Sequence, residues 1–344
     1  MSAQLLPGYA LTLGSQRWTE QALRIVVTLE MAPRIDTLTV WLPISAPLSA
    51  DRGDSVELTL NSGEKEEIVF TGEIDSIRRD FAALRVSSVN AGGVLSRFRP
   101  AETYENVSAS TVINNLLETL GIDAGDIEDG PDLAFYVADP SRTAWEHIAR
   151  VAKWGGAMAR VSAANSIEAS VIDASHADVA LLYGREIIAL HSHKRAAAID
   201  AFVIAGETGA GDTGSADVLR PSTDFFAGNR PEGPALGKHW RFEPALRTAK
   251  SAATAGAARQ RQYTSSLDAG NFHAFLQPQL RCGSVVEIQQ LPGGLLSGPI
   301  WLTRVEHELG AGAATTRVRF QQGGDISDPS ALLGSLAGLV GGLL

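Results

Sequence analysis

Two short amphipathic helices lie within a chain whose other segments follow a β-strand pattern, and this contrast constrains the fold most. The first predicted helix has Ser108 as its N-cap and stops at Gly121, because glycine enters the left-handed conformation at little cost. The second has Ser141 as its N-cap and ends at Gly155-Gly156. Each helix has one apolar face that needs a partner surface. These faces comprise Val112, Ile113, Leu116, Leu117 and Leu120 in the first helix, and Ala144, Trp145, Ile148, Val151 and Ala152 in the second.

The helices belong to an acidic segment. Residues 105–180 contain 4 basic and 12 acidic residues, a net charge of −8, whereas residues 1–104 carry −3 and residues 181–320 carry +3. We expect an acidic loop from Asp123 to Asp132 between the helices. Two strands, Ala157–Ser162 and Ser166–Ile172, are expected after them, with Asn165 in the turn. Residues 105–180 are therefore predicted to form a small α+β domain.

The segments on either side are predicted to be β domains, because short alternating runs are separated by Gly, Pro, Asn and Asp. Residues 1–104 are expected to form a sandwich or barrel, and residues 181–322 a second β domain with one helix over Pro244–Gln262. The predicted strands of the first domain are Ala22–Glu30, Thr37–Leu42, Ser55–Leu60, Glu66–Ile77 and Ala82–Val89. Those of the second are Ile187–His193, Ala198–Gly206, Asn271–Leu276, Ser284–Gln290, Pro299–Glu308 and Thr315–Gln321.

Composition excludes several classes of protein. At 44% hydrophobic and 20% charged residues, the chain can bury ordinary cores and is not expected to be disordered. Its one cysteine, Cys282, excludes an internal disulfide and a cysteine-only metal site. The net charge of −10 argues against nucleic acid as the main partner. The N-terminal sequence lacks a signal-peptide pattern, and no apolar run of about 18 residues predicts a membrane span.

The last segment, residues 323–344, is an apolar tail rich in Gly and Leu. Its leucines recur at helical spacing, and Gly334, Gly338 and Gly342 form a second stripe. Such a tail is either flexible or a docking peptide that fills a groove in a partner. The leucines proposed to dock are Leu332, Leu336, Leu339 and Leu343.

A glycine-rich stretch, Gly206–Thr213 (GETGAGDT), has the glycine spacing of a phosphate-binding loop. Asp212 replaces the lysine of that motif and would repel a phosphate. The nearby GxGxxG pattern is not followed by an apolar helical period. We interpret this stretch as part of a surface loop, Glu207–Pro234, and predict no cofactor.

Two histidines, His191 and His193, would share one face of a strand, as metal ligands on a strand often do. A third ligand would have to come from His239, His307 or Glu306. The alternative is an ordinary exposed strand face, which we favour. No metal site is therefore predicted.

Carboxylates and aromatic residues give no specific catalytic signal. Glu102 and Glu105, like Glu306 and Glu308, fit solvated strand or loop faces better than a hydrolase pair. Cys282 is expected to be a small, buried or half-buried residue, because no histidine is paired with it in the sequence. The six tryptophans are scattered, which favours core or interface positions over a sugar-binding platform. No catalytic residue is predicted.

The order of these segments resembles the late-control protein D family, the baseplate hubs of contractile phage tails. The family includes the N-terminal part of type VI secretion spike proteins and the hubs of extracellular contractile injection systems. The resemblance covers roughly Gln16 to Gln321. The segments that carry it are Val69–Ile74, Arg85–Asn90, Ser110–Gly121, Ser141–Gly156, Leu280–Val286 and Trp301–His307.

The resemblance implies an α+β, mostly β chain with two tail-tube-like β-barrel or sandwich domains and the small α+β domain inserted between them. Three copies would form a ring that joins a sixfold tail tube to a threefold spike, without enzymatic activity. Its partners would be the tail tube or its initiator, a separate spike chain and baseplate wedge or adaptor proteins. Assembly would take place in the bacterial cytoplasm, and the product would be a virion tail or an extracellular injection particle.

Two alternative functions remain open. One is an enzyme, either a tail-associated cell-wall hydrolase or a metal enzyme that uses His191 and His193. The other is a secreted carbohydrate-binding β protein, which the absence of a signal-peptide pattern disfavours.

Overall fold

The computed structural model describes residues 7–199, 201–206, 237–293, 295–296, 298–310 and 312–322. This part of the chain is mostly antiparallel β-sheet, as predicted, with twenty strands and four helices. Among the residues described, no helix combines the length and the hydropathy needed to cross a bilayer.

The first β region alternates buried and exposed side chains, as a strand with one face on a core must. In Arg24–Glu30, for example, Ile25, Val27 and Leu29 are buried while their neighbours are not. All five predicted strands are confirmed, and two short strands precede them. The strands are β1 (Gly8–Leu13), β2 (Gln16–Trp18), β3 (Arg24–Glu30), β4 (Thr37–Pro43), β5 (Ser55–Asn61), β6 (Glu66–Arg79) and β7 (Ala83–Val89).

The middle of the chain is the α+β unit. Its core is formed by the apolar faces of two helices, and Val112, Leu116, Trp145 and Ile148 are almost fully buried there. The elements are α1 (Ala91–Leu95), β8 (Glu102–Ser108), α2 (Ala109–Thr119), β9 (Ala124–Ile127), β10 (Asp132–Ala138), α3 (Ala144–Gly155), β11 (Met158–Val161) and β12 (Ile167–Ser170).

The second β region contains one long helix, which packs against α3 of the α+β unit. The six strands predicted here are confirmed, although their bounds differ by a few residues. The elements are β13 (Val179–Leu182), β14 (Ile187–Lys194), β15 (Ala201–Ala205), β16 (Lys238–Phe242), α4 (Ala249–Leu267), β17 (Asp268–Phe275), β18 (Val285–Gln289), β19 (Ile300–Gly310) and β20 (Ala313–Gln322).

The helix ends follow from capping. Ser108 caps α2, and its hydroxyl accepts the backbone N–H of Thr111, as predicted. The predicted N-cap of α3 is wrong: Thr143, not Ser141, caps it, because Thr143 and Glu146 form a reciprocal capping box. Ser141 instead bonds to Asp139. The helix ends at Gly156, which has φ 88° and is the expected left-handed C-cap.

Two further expectations needed correction. Residues 123–132 are not only a loop, because β9 (Ala124–Ile127) pairs in parallel with β12 and extends the predicted hairpin to three strands. The predicted helix Pro244–Gln262 is displaced toward the C-terminus, because Thr248 is its N-cap and α4 runs to Leu267.

The two β regions share one sheet of thirteen strands. Its main path has the order β14-β17-β20-β19-β3-β4-β7-β6-β5-β1-β2; off this path, β18 pairs with β19 and β13 pairs with β18. The path is open, so the described residues form no closed barrel. The division of the chain at residues 104 and 180 stays a prediction, and β8 (Glu102–Ser108) crosses the first of these positions.

Gly72 offers a test of this packing. A Cβ atom at Gly72 would lie 2.2 Å from the backbone oxygen of Val89, so Gly72→Ala forces β6 away from β7. We expect the free energy of unfolding to fall by about 1–3 kcal/mol, the usual effect of overpacking. Urea denaturation measures it. The control is Gly8→Ala in β1, where a Cβ meets no atom within 4 Å. Equal stability of the two variants would contradict the close approach of β6 to β7.

Candidate functional site

The histidines singled out in the sequence do not come together around one point. His191 and His193 are exposed on β14, where they lie opposite Asn271 and Ala269 of β17. His307 is buried: its Nδ1 is 2.9 Å from the Thr316 hydroxyl, and its Nε2 is 3.2 Å from the Leu280 carbonyl oxygen. Burial lowers the pKa of His307 to about 3, so it is a neutral core residue. Within the described ranges, no three His, Cys, Asp or Glu side chains are grouped to hold a metal ion.

The glutamates and the cysteine considered as catalytic candidates make contacts typical of structural residues. Tyr104 donates a hydrogen bond to Glu102 at 2.6 Å, and Glu105 is exposed on the same strand. Cys282 is buried, as predicted, and its Sγ lies 3.5 Å from the Thr303 carbonyl oxygen. Burial raises the pKa of its thiol, which disfavours the reactive thiolate.

Four tryptophans, Trp18, Trp145, Trp154 and Trp301, are buried, in agreement with the predicted core positions. The remaining sequence candidates lie outside the described residues. These are the loop Glu207–Pro234, with all of the glycine-rich stretch after Gly206, and the tail with Leu332, Leu336, Leu339 and Leu343.

What the structure brings together is a pair of related four-stranded units. The first unit contains β3, β4, β6 and β7, which lie in the spatial order first-second-fourth-third. The second contains β14, β17, β19 and β20, and their spatial order is again first-second-fourth-third in the same direction along the sheet. The two β regions are thus architectural relatives.

The third strands of the two units match in detail. The early residues of β6 pair with β5 up to Glu73, and the early residues of β19 pair with β18 up to Trp301. Each strand then has a register shift against its neighbour in the unit, between Ile74 and Ser76 in β6 and between Leu302 and Arg304 in β19. A bulge bends a strand and redirects its edge. Both third strands therefore leave their first partner at the same relative position.

A seam between β19 and β3 joins the two units. Seven residues from Arg304 to Gly310 pair with residues from Glu30 to Arg24, and the strands are antiparallel. Each pair continues the backbone hydrogen-bond ladder, so the ladder runs unbroken from one unit to the other. This contact was not predictable from the sequence, because pairing between segments far apart in the chain leaves no local pattern.

One face of the seam carries a row of ion pairs. Arg304 contacts Glu30 at 3.4 Å and Glu306 at 2.8 Å, and Arg317 contacts Glu306 at 3.2 Å and Glu308 at 3.5 Å. Arg24 of β3 completes the row, 2.8 Å from Glu308. Single exposed pairs contribute little, on the order of 1 kcal/mol or less. A connected row across three strands favours this register over a shifted one.

The opposite side of the sheet holds a buried polar contact next to the seam. Asp36 is 2% exposed, and its carboxylate oxygens accept hydrogen bonds from the Glu30 backbone at 2.6 Å and from the Asn90 amide at 2.7 Å. The Asn90 side chain also caps α1 by accepting the N–H of Gly92. This contact fixes the start of the α+β unit against β3.

Burial raises the pKa of Asp36 to about 7, against the opposing effects of its two hydrogen bonds and the nearby Arg281 guanidinium. Asp36 is not among the residues that the sequence pattern singled out. The available signal was an aspartate in a short link between two strongly alternating strands.

Solved structures of tail proteins share this fold. The 43 kDa tail protein of prophage MuSo2 from Shewanella oneidensis superimposes with a TM-score of 0.67 at 14% identity, over 92% of this chain and 98% of that one. A tail protein from Neisseria meningitidis MC58 gives 0.69 at 13% identity, over 92% and 96%. The chain has the fold of phage tail proteins.

A third similar structure is the E. coli c3393 protein, described as a type VI secretion component with structural similarity to the T4 tail proteins gp27 and gp5. It matches with a TM-score of 0.63 at 11% identity, over 92% of this chain and 77% of that one. The resemblance to hub proteins is thereby confirmed at the level of the fold. No protein-family model matches the chain, and no curated protein sequence matches it significantly.

The tail-protein fold places Asp36 in a pH-sensitive position, which a titration can test. Its pKa is about 7 in the folded chain against an ordinary value of 3.8, so unfolding between these pH values releases a proton. Its contribution to stability is therefore full below pH 3.8 and is lost as pH rises through 7. In the wild type, the free energy of unfolding should therefore fall by up to about 4 kcal/mol as pH rises from 3.8 to 7. We expect this fall to be absent in Asp36→Asn.

The measurement is urea denaturation of the wild type and the variant at several pH values between 4 and 8. The control is Asp126→Asn, which alters an exposed carboxyl in β9 and should keep the wild-type pH dependence. If Asp36→Asn also keeps it, Asp36 does not titrate near neutrality.

Proposed function

We propose that this chain is a structural baseplate hub of a contractile tail or injection system. In this proposal three copies form a ring that adapts the sixfold tail tube to the threefold spike. The observation that carries it is the pair of four-stranded units with the same strand order in one sheet. Two equivalent units per chain are what a trimer needs to present six units to a sixfold partner.

The seam within the chain supplies a template for the contact between copies. At the seam, the late residues of a third strand, β19, pair with a first strand, β3. The equivalent late residues of the other third strand, Ser76–Arg79 of β6, pair with β7 on one side only in the described part of the chain. The other first strand, β14, has β17 as its one strand partner there, apart from an isolated bridge between Ile187 at its start and Tyr183. In the described part of the chain, both edges required for a repeat of the seam lack a second strand partner.

We infer that Ser76–Arg79 of one copy pairs with β14 of the next copy. Such a contact joins two different surfaces, so it generates a ring where the rotation closes. Six units in a ring would then be joined by six similar seams, three within chains and three between them. An unpaired strand edge is otherwise a site of aggregation, and ring closure removes it.

The proposed ring also has an orientation. The apolar face of the sheet packs into two apolar clusters, which also contain residues of β1, β5, β13 and β18. The opposite face carries polar side chains such as Arg85, Arg304 and Arg317. We propose that the polar face lines the bore and that the α+β unit lies outside, where it would meet baseplate neighbours.

Catalysis is not part of this proposal. His191 and His193 lie on β14, the strand that would meet the next copy, and the described residues around them include no group of three metal-binding side chains. The proposed partners are the tail tube or its initiator, the spike, and wedge or adaptor proteins contacted through the leucine tail. Assembly in the bacterial cytoplasm and a place in a virion tail or an extracellular particle belong to the same proposal.

Light scattering of the purified chain tests the ring, with an expected mass three times the 36.4 kDa of one chain. Proline substitutions in β14 test the edge, because proline removes a backbone N–H. Neighbouring strand residues point their N–H groups to opposite sides, and the side chains of Ser192 and His193 are exposed. One of Ser192→Pro and His193→Pro therefore removes an N–H group that faces β17, and we expect it to weaken pairing with β17. The other removes an N–H group from the outer edge of β14, and we expect it to be a stable monomer.

The control is Ser192→Ala together with His193→Ala, which keeps both N–H groups and should stay trimeric. If the wild type remains monomeric when mixed with tube and spike proteins, the hub proposal is wrong. Zinc analysis of the wild type addresses the enzyme alternative. Stoichiometric zinc that is lost in His193→Ala would favour a metal enzyme.

A further inference from the structure

A cationic groove lies between α3, α4 and β16, on the α+β side of the molecule. It has a volume of about 590 Å³ and is lined by five basic and two acidic side chains among its residues. The basic residues are Arg142, Arg150, Lys153, Arg241 and Arg259. This excess of positive charge is unusual, because residues 105–180 carry a net charge of −8 and the whole chain −10.

The acidic residues of the groove are already engaged. Glu243 is 3% exposed and accepts hydrogen bonds from Arg150 at 2.7 Å and from Arg241 at 2.6 Å. Glu146 accepts the backbone N–H of Thr143 at 2.8 Å and belongs to the capping box of α3. A single buried carboxylate thus compensates two guanidinium groups.

Two cations lack a compensating charge. Within the described residues, neither Lys153 nor Arg259 forms an ion pair, although Arg142 at the end of the groove contacts Asp139 at 3.5 Å. The Lys153 side chain is half-buried, and burial lowers its pKa, as do the nearby Arg259 and Arg241 guanidinium groups. Lys153 is therefore a partly desolvated cation beside exposed guanidinium groups, an arrangement that is costly unless an anion joins it.

We propose that this groove binds an acidic peptide segment of another protein. From Glu146 to Lys153 the groove follows α3 for about 10 Å, the length of roughly three extended peptide residues. One carboxylate could meet Lys153 and Arg259 while another meets Arg150 and Arg241. Phe242, 58% exposed at the rim, offers an apolar contact beside the charges.

A peptide fits the groove better than a nucleic acid does. A long polyanion would extend beyond the groove over a surface whose net charge is negative, and it would be repelled there. A short acidic segment places its charges only where the cations are. This proposal does not depend on the ring, because every residue that it uses belongs to one copy.

Fluorescence anisotropy with the full chain tests the proposal. The probe is a dye-labelled six-residue peptide of five glutamates and one leucine. We expect saturable binding that weakens as salt is raised from 50 to 500 mM, since partly exposed charges are screened. The double variant Lys153→Gln/Arg259→Gln should lose at least tenfold in affinity. The matched control Lys250→Gln removes an exposed cation of α4 that does not line the groove and should bind as the wild type does.

Thermal unfolding of the double variant should be equal to the wild type or higher, because two crowded charges are removed. A variant of normal stability that still binds the glutamate peptide with wild-type affinity would overturn the proposal. Absence of binding to the wild type would overturn it too. So would a twelve-residue oligothymidylate that binds more tightly than the peptide and is lost in the double variant, since the groove would then be a nucleic-acid site.

Discussion

The antiparallel pairing of β19 with β3 is the contact on which the rest of the structure depends. It joins a strand near the start of the chain to one near its end, so both β regions become one sheet. The α+β unit, which lies between these strands in sequence, must then be held to one side. Asp36 and Asn90 hold it there, next to the seam, through buried hydrogen bonds. Backbone pairing thus unites the β regions, and apolar contacts reinforce it, because Leu276 belongs to the cluster of the first region and Leu29 and Met31 belong to that of the second.

Because the two units have the same strand order, the seam within the chain is also a model for contacts at their open edges. The bulges in β6 and β19 both occur where the strand leaves one neighbour and offers its edge to another. In β19 that edge is occupied by β3, whereas in β6 it is open within the described chain. In our proposal, the same arrangement, a bulge followed by an available strand edge, forms the contact within the chain and the contact between copies. The cationic groove lies apart from this seam, between the α+β unit and the second β region.

Local features of the fold could be predicted from the sequence. Alternation gave the strands of both β regions, and the caps at Ser108 and Gly156 gave the helix ends, because both signals depend on near neighbours. Thr143 was missed because Ser141 also satisfies the N-cap preference, and only the reciprocal bond with Glu146 decides between them. Other features join segments that are distant in the chain. These are the parallel pairing of β9, the seam, and the contacts around Asp36 and Lys153. No residue pattern specifies their register, so the structure was needed to find them.

The most direct test of the hub account is a disulfide between copies. Cys282 is buried, so cysteines introduced at Arg78 in β6 and at one of His191, Ser192 or His193 in β14 would be the accessible thiols. Within one chain these strands are separated by six others, roughly 30 Å along the sheet, beyond the Cα separation of about 7 Å that a disulfide allows. Oxidation of assembled protein should therefore give a covalently closed trimer on a non-reducing gel for at least one pair. Only monomers, or a dimer as the largest product with all three pairs, would contradict the ring.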